Sequence, residues 1–131
     1  MGHLGLQPQS VQAYGGFKPQ GRDEDGAKRI DWEAKTLETL GAFAIVLECI
    51  PAALAAQITA KLTIPSIGIG AGAGCDGQIL VLQDLLGLNK NFRPRFARPF
   101  LDAEGAILTA LAEYDRAVKT EAFPLLEESY T

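Results

Sequence analysis

Phe43-Ala44-Ile45-Val46-Leu47 runs five apolar residues without a break, and Glu48 follows them directly. An unbroken apolar run of this length, closed by Cys49-Ile50-Pro51, predicts a strand buried on both faces. Such strands belong to parallel sheets, whose crossover connections cover them on either side. Glu48 then ends the strand, at the end where α/β folds place their chemistry. A carboxylate is costly to bury there unless it is paired or put to use. Burial also raises its pKa toward the range that suits a general base. Two readings follow from the position alone: a general base, and a structural acid held in a salt bridge.

The flanking sequence repeats the α/β theme. Gly2-His3-Leu4-Gly5-Leu6 is short and strand-like, and Gln7-Pro8-Gln9 turns the chain into a loop reaching Arg22. Ala27, Ile30, Ala34 and Leu37 recur at helical spacing and predict a helix from about Asp23 to Leu40. The acidic Asp23, Glu24 and Asp25 suit its N-terminal end, and Gly41 its C-terminal cap. Strand 43–49 follows, and Pro51 fits the first turn of a helix carrying Leu54, Ile58 and Leu62 on one face. A second buried strand is expected over 66–70 and a third over 78–82, continued by 84–88 as strand or turn. Phe92, Phe96 and Phe100, four apart among Lys90, Arg93, Arg95 and Arg98, are expected to pack inward. A last helix is capped by Asp102 and striped by Ile107, Leu111, Tyr114 and Val118. Helices and strands alternating at this spacing predict βαβ units, a parallel sheet and a single unit over residues 1–131.

Bulk properties narrow the partners. The net charge of −4 and a pI near 4.9 argue against nucleic acid or an anionic membrane. No apolar run nears the ~20 residues of a membrane span. The first residues carry neither a basic stretch nor a long apolar one, so no signal peptide is expected. Cys49 and Cys75, without a CxxC or a histidine partner, read as reduced thiols of a cytoplasmic protein.

Beyond Glu48, the candidates are few. His3 is the only histidine; it reads equally as incidental or as facing a cavity left by its small neighbours. Gly68-Ile69-Gly70-Ala71-Gly72-Ala73 fits a relaxed dinucleotide pattern. The next run, however, is strand-like rather than a long helix. Asp76 and Asp84 read as structural. No convincing set of metal ligands is present in the chain.

Six segments then point to one family. Gly2–Leu6, Pro8–Val11, Gly15–Arg22, Val46–Pro51, Ile64–Gly72 and Cys75–Val81 occur in order and with matching gaps. Together they closely resemble the ketopantoate hydroxymethyltransferases, with Gln7 where Thr is common, Phe17 for Tyr and Pro19 for Val. The resemblance implies a (βα)8 TIM barrel of the phosphoenolpyruvate/pyruvate type, of which this chain matches the C-terminal half, about strands 5–8. A complete barrel takes about 250 residues. Members of this family use Mg2+ and 5,10-methylenetetrahydrofolate to hydroxymethylate 3-methyl-2-oxobutanoate, giving 2-dehydropantoate for pantothenate synthesis. By the same resemblance Glu48 matches the catalytic base, His3 a residue lining the substrate pocket and Val81 a residue near the substrate. The family's metal ligands match nothing in this chain.

The expected function is thus that of a hydroxymethyltransferase part, inactive alone and completed by a complementary N-terminal half. The alternative is a non-enzymatic half-barrel, or split-gene remnant, that forms a homo-oligomer through unpaired sheet edges. A Rossmann-type nucleotide binder stands third.

Overall fold

The computed structural model describes residues 1–10, 12, 15–89 and 92–130. Val11 and Lys90, which take part in the patterns above, lie outside them. The chain divides into two compact units, Met1–Leu80 and Val81–Thr131.

The first unit is a parallel sheet with helices. Its elements are β1 (Gly2–Gly5), α1 (Glu24–Thr39), β2 (Ile45–Glu48), α2 (Ala52–Lys61), β3 (Ser66–Ile69) and β4 (Gly77–Gln78). The strands lie in the order β1-β2-β3-β4, and every adjacent pair is parallel. This is the α/β class with a parallel four-stranded sheet, consistent with part of a TIM-barrel-type enzyme.

Local chemistry sets the element ends. The Asp23 carboxylate accepts from the Gly26 N–H at 2.7 Å and caps α1. At the other end Gly41 adopts φ +91°. This lets the Gly41 and Ala42 N–H groups donate to the Glu38 and Leu37 carbonyls, both at 3.0 Å. Pro51 sits one place earlier than the spacing suggests, as the cap of α2 rather than inside its first turn. β2 begins at Ile45, where pairing with Gly2 and Ser66 begins, so Phe43 stays outside the sheet and exposed.

The core lies between the sheet and its helices. Leu4, Ile45 and Leu47 pack with Ile30 and Ala34 of α1 and with Leu54, Ala55 and Ile58 of α2 in one buried cluster. Both helices therefore cover the same face of the sheet, whereas a doubly wound sheet spreads its helices over two faces. Each fully buried Ile or Leu here contributes about 1.5–3 kcal/mol.

β3 and β4 run parallel with only Gly70–Asp76 between them. Asp76 anchors this short return. Its Oδ2 accepts from the Ser66 N–H at 2.8 Å and from the Ser66 hydroxyl at 3.1 Å. The buried Ser66 hydroxyl also lies 2.7 Å from Thr59 Oγ1 and accepts from the Asp76 N–H at 3.2 Å.

The expected strand 78–82 gives way early. Sheet pairing ends at β4, and α3 (Leu82–Leu85) is a helical turn followed by Gly87 at φ +68°. Leu82, Leu85 and Leu86 recur at helical spacing, which explains the change of state. Phe92, Phe96 and Phe100 are exposed rather than packed inward. Pro94 and Pro99 keep the segment out of a helix, so a spacing of four makes no common face. The Arg98 guanidinium covers the Phe100 ring at 4.6 Å.

α4 (Ala103–Lys119) forms as expected, with Asp102 capping it through the Gly105 N–H at 3.2 Å. Its stripe is not buried. Ile107, Leu111, Tyr114 and Val118 are 45 to 60% exposed, and Tyr114 meets Phe123 edge-on at 5.5 Å.

Candidate active site

β1 and β2 run side by side with Gly5 opposite Glu48 and His3 opposite Val46. Side chains on a strand alternate between faces. His3 and Glu48 therefore share the face turned away from the Leu4–Ile45–Leu47 core. The His3 ring reaches along the sheet, and its Nε2 lies 2.9 Å from Glu48 Oε2. In the tautomer protonated at Nε2 the imidazole donates to the carboxylate; when doubly protonated it forms an ion pair with it. The two side chains are 38% and 14% exposed, so the acid is the better covered partner and the ring the more open one.

Glu48 owes its position to the backbone around it. Its carbonyl accepts from the Leu6 N–H at 2.9 Å. Cys49 follows at φ +50°, a left-handed conformation that only a few per cent of non-glycine residues adopt. It is held there from both sides: its N–H donates to the Ile69 carbonyl at 2.9 Å, and its carbonyl accepts from the Gln20 N–H at 3.0 Å. On the β1 side Gly5, at φ +90°, lets the chains approach so closely that a Cβ there would stand 2.1 Å from the Glu48 carbonyl oxygen. Gly5, Gln20 and Cys49 are thus positioning residues for Glu48. Only Gly5 carried a sequence signal for this, as a glycine ending a strand.

Burial, and then the neighbouring Glu48 charge, push the Cys49 thiol up to about 11. It stays protonated at neutral pH and is no nucleophile. What the His3–Glu48 pair offers chemically is a carboxylate able to exchange a proton, with the imidazole as its hydrogen-bond partner.

The other candidates lie elsewhere. Asp76 is the anchor of β3 described above, at the opposite end of that strand from Ile69, which pairs with Glu48. Val81 opens the second unit as the cap of α3. Asp84 lines a cleft of about 620 Å³ in that unit, with Arg93 and Asp102 among its neighbours. The glycine segment is committed to packing: a Cβ on Gly72 would stand 2.4 Å from that of Ala52, and one on Gly74 2.7 Å from that of Ala56. Those glycines bring the return segment onto α2, and a strand follows them, so the dinucleotide reading loses its basis. Among the described residues no group of three or more His, Cys, Asp or Glu side chains is placed to hold a metal ion.

The sequence profile of the ketopantoate hydroxymethyltransferases matches residues 1–125. The chain belongs to the ketopantoate hydroxymethyltransferase family. Among its relatives is the 3-methyl-2-oxobutanoate hydroxymethyltransferase of Bdellovibrio bacteriovorus, 56% identical over 131 residues, all of this chain and 50% of that protein. The enzyme of the same name from Shewanella loihica is 55% identical over 129 residues, 98% of this chain and 49% of its own length. That of Francisella tularensis is 51% identical over 130 residues, 99% and 49% respectively. The chain therefore spans about half the length of the curated relatives it matches.

Proposed function

We propose that the chain is the base-bearing, C-terminal half of a (βα)8 hydroxymethyltransferase, with 3-methyl-2-oxobutanoate as its substrate. The observation that carries the proposal is the His3–Glu48 pair at the C-terminal end of a parallel strand. Glu48 takes the proton from the carbon next to the ketone, and that C–H electron pair becomes the enolate. The enolate carbon then forms its new bond to the one-carbon unit that the folate carries; the bonds from that carbon to the folate nitrogens break, water supplies the hydroxyl oxygen, and 2-dehydropantoate and tetrahydrofolate are the products. His3 holds the Glu48 carboxylate toward the substrate through Oε2 and stays close enough to share its proton. 5,10-Methylenetetrahydrofolate supplies the one-carbon unit. Val81 is assigned to the substrate side on its motif alone.

Mg2+, which the family implies, does not fit the donors among the described residues: Glu48 and His3 make a pair rather than a ligand set. No step here is routed through a metal. We assign the missing ligands to a complementary N-terminal half, and the chain, with its two free cysteines, to the cytoplasm. Among the described residues no helix is long and apolar enough to cross a membrane.

The test is turnover with 3-methyl-2-oxobutanoate, methylenetetrahydrofolate and Mg2+, with and without the N-terminal half of a full-length relative. The isolated chain is expected to be inactive and the pair active. Glu48→Gln is expected to abolish both turnover and solvent-deuterium exchange at the substrate's α-carbon while leaving assembly of the halves intact. Exchange that survives Glu48→Gln would remove Glu48 from the base role. One observation favours a second reading, a self-assembling half-barrel without catalysis: the exposed apolar stripe on α4. Failure of the two halves to restore turnover, with the chain forming a stable homo-oligomer, would decide for it.

A further inference from the structure

The cleft of the second unit has no part in the proton transfer, and its walls are pinned by backbone bonds. The Phe100 N–H donates to the Leu85 carbonyl at 2.8 Å and the Ala103 N–H to the Leu86 carbonyl at 3.0 Å, tying the stretch before α4 to α3. Gly87, at φ +68°, lets the two meet: a Cβ there would stand 2.2 Å from the Leu101 carbonyl oxygen. The resulting cleft of about 620 Å³ is in the range of small-molecule sites, about 300–1,000 Å³. Asp84 lines it as a half-buried carboxylate, whereas Arg93 on its rim is exposed. Asp102, the other acid of the lining, is engaged as the cap of α4. Arg95 and Arg98 follow Arg93 in the chain and are exposed as well, with the Arg98 guanidinium over the Phe100 ring. Among the described residues no ion pair involves Asp84 or any of these three arginines. In a chain of net charge −4, that local excess of unpaired positive charge calls for an anion.

We infer that this cleft binds the reduced folate, with Asp84 on its pterin ring and the arginines on its glutamate tail. The inference rests on the function proposed above for the identity of the ligand. A pterin presents a 2-amino group and the adjacent ring N–H along one edge, two parallel donors that a single carboxylate accepts together. Asp84 is such a carboxylate, and Pro99 and Leu101 beside it offer apolar contact to the ring. The tail carries carboxylates, one more with each added γ-glutamyl residue. Guanidinium forks match carboxylates in a bidentate way, and the Phe100 ring beneath Arg98 holds that fork flat. Site and ligand therefore run in the same order, with the acid within for the donor edge and the guanidiniums outside for the anionic tail. A nucleic acid would need positive charge over a longer stretch, and the net charge of −4 opposes it beyond these residues.

Isothermal titration calorimetry of the full chain tests this with 5-formyltetrahydrofolate, a stable reduced folate, as its monoglutamate and its triglutamate. Circular dichroism confirms that each variant folds. The triglutamate is expected to bind about five- to ten-fold tighter than the monoglutamate, the order expected for two added exposed ion pairs. Arg95→Ala with Arg98→Ala is expected to bring that ratio below about two-fold and to leave the monoglutamate affinity in place. Asp84→Asn is expected to weaken both forms alike, by about ten-fold or more, as the loss of charge-assisted hydrogen bonds requires. Glu48→Gln is expected to bind both as the parent does, so a failure of the proposed base and a failure of this site are read separately. Absence of binding at millimolar ligand, equal affinity of the parent for the two forms, or parent-like binding by Asp84→Asn would each overturn the inference. So would free tri-γ-glutamate that competes as well as the folate triglutamate, because charge alone would then account for the binding.

Discussion

Gly5→Ala is the perturbation that most directly asks whether backbone packing holds Glu48 in place. The added Cβ would stand 2.1 Å from the Glu48 carbonyl oxygen and 2.7 Å from Ile50 Cγ2, at φ +90°. Real Cβ atoms essentially never come closer than 3.0 Å, so the Glu48 peptide must retreat by most of an ångström. That carbonyl is the acceptor for Leu6, and Ile50 is buried, so neither neighbour yields freely. Left-handed strain of about 1–2 kcal/mol and overpacking of about 1–3 kcal/mol give a loss of roughly 2–5 kcal/mol. Against a domain stability of about 5–15 kcal/mol that is large but survivable.

Gly41→Ala is the control. Gly41 has nearly the same φ, +91°, with no atom within 4 Å of the added Cβ. Its loss is expected to stop at the strain of about 1–2 kcal/mol. Urea unfolding of both variants separates clash from strain by subtraction. His3 supplies the local readout: as the only histidine, its ring resonances are unambiguous. They are expected to shift in Gly5→Ala and not in Gly41→Ala. Equal losses in the two variants, or an unmoved His3 ring in Gly5→Ala, would refute the reasoning.

Two further predictions concern titration. Glu38 receives a hydrogen bond from Lys35 and two from Thr63, through its N–H at 2.6 Å and its hydroxyl at 2.7 Å. These partners, Lys35 foremost, lower its pKa from 4.5 to about 2. The stability this group adds is full above pH 4.5 and is lost as pH falls toward 2; acid unfolding of Glu38→Gln is therefore expected to have a shallower limb across that window than the parent. At Cys49 the raised thiol predicts alkylation by iodoacetamide at pH 8 on the order of a hundred-fold slower than at an ordinary cysteine. Glu48→Gln removes the charge that is the second cause of the shift, so it is expected to speed that reaction; an unchanged rate would mean that the two groups do not sense each other.

The sequence disclosed the elements whose partners lie in the same unit. Ile30 and Ala34 were readable as the buried stripe of α1, and Leu54 and Ile58 as that of α2, because each meets strands a few dozen residues away. Asp23 and Asp102 were readable as caps because capping is local. Periodicity failed where it was asked about burial without a surface to bury against. The α4 stripe has the right spacing and stays open. The apolar run through 79–82 looked like a strand, yet the backbone after Gln78 follows Leu82–Leu85 into a helical turn. At the site, Glu48 and the family were readable from motifs. The left-handed Cys49 and its bond from Gln20 were not, since no side-chain pattern encodes that backbone state.

The arrangement that results is asymmetric. Among the described residues of the first unit, Leu6 on its carbonyl, Ile69 and Gln20 on the residue after it, and His3 on its carboxylate hold Glu48 in place. An acid oriented before any substrate arrives needs no further ordering to abstract a proton, which is the condition for an efficient base. Stabilising the enolate that results is a different task, requiring positive charge or donors aimed at the developing oxyanion. The His3 ring is a donor on the same face of the sheet as Glu48, and its Nε2 is already engaged with the carboxylate. Under the function proposed above, this chain supplies the oriented acid and the complementary half the donors for the oxyanion. For this reason Glu48→Gln should erase proton exchange, whereas supplying the N-terminal half should raise turnover through the oxyanion and leave the His3 ring signals in place.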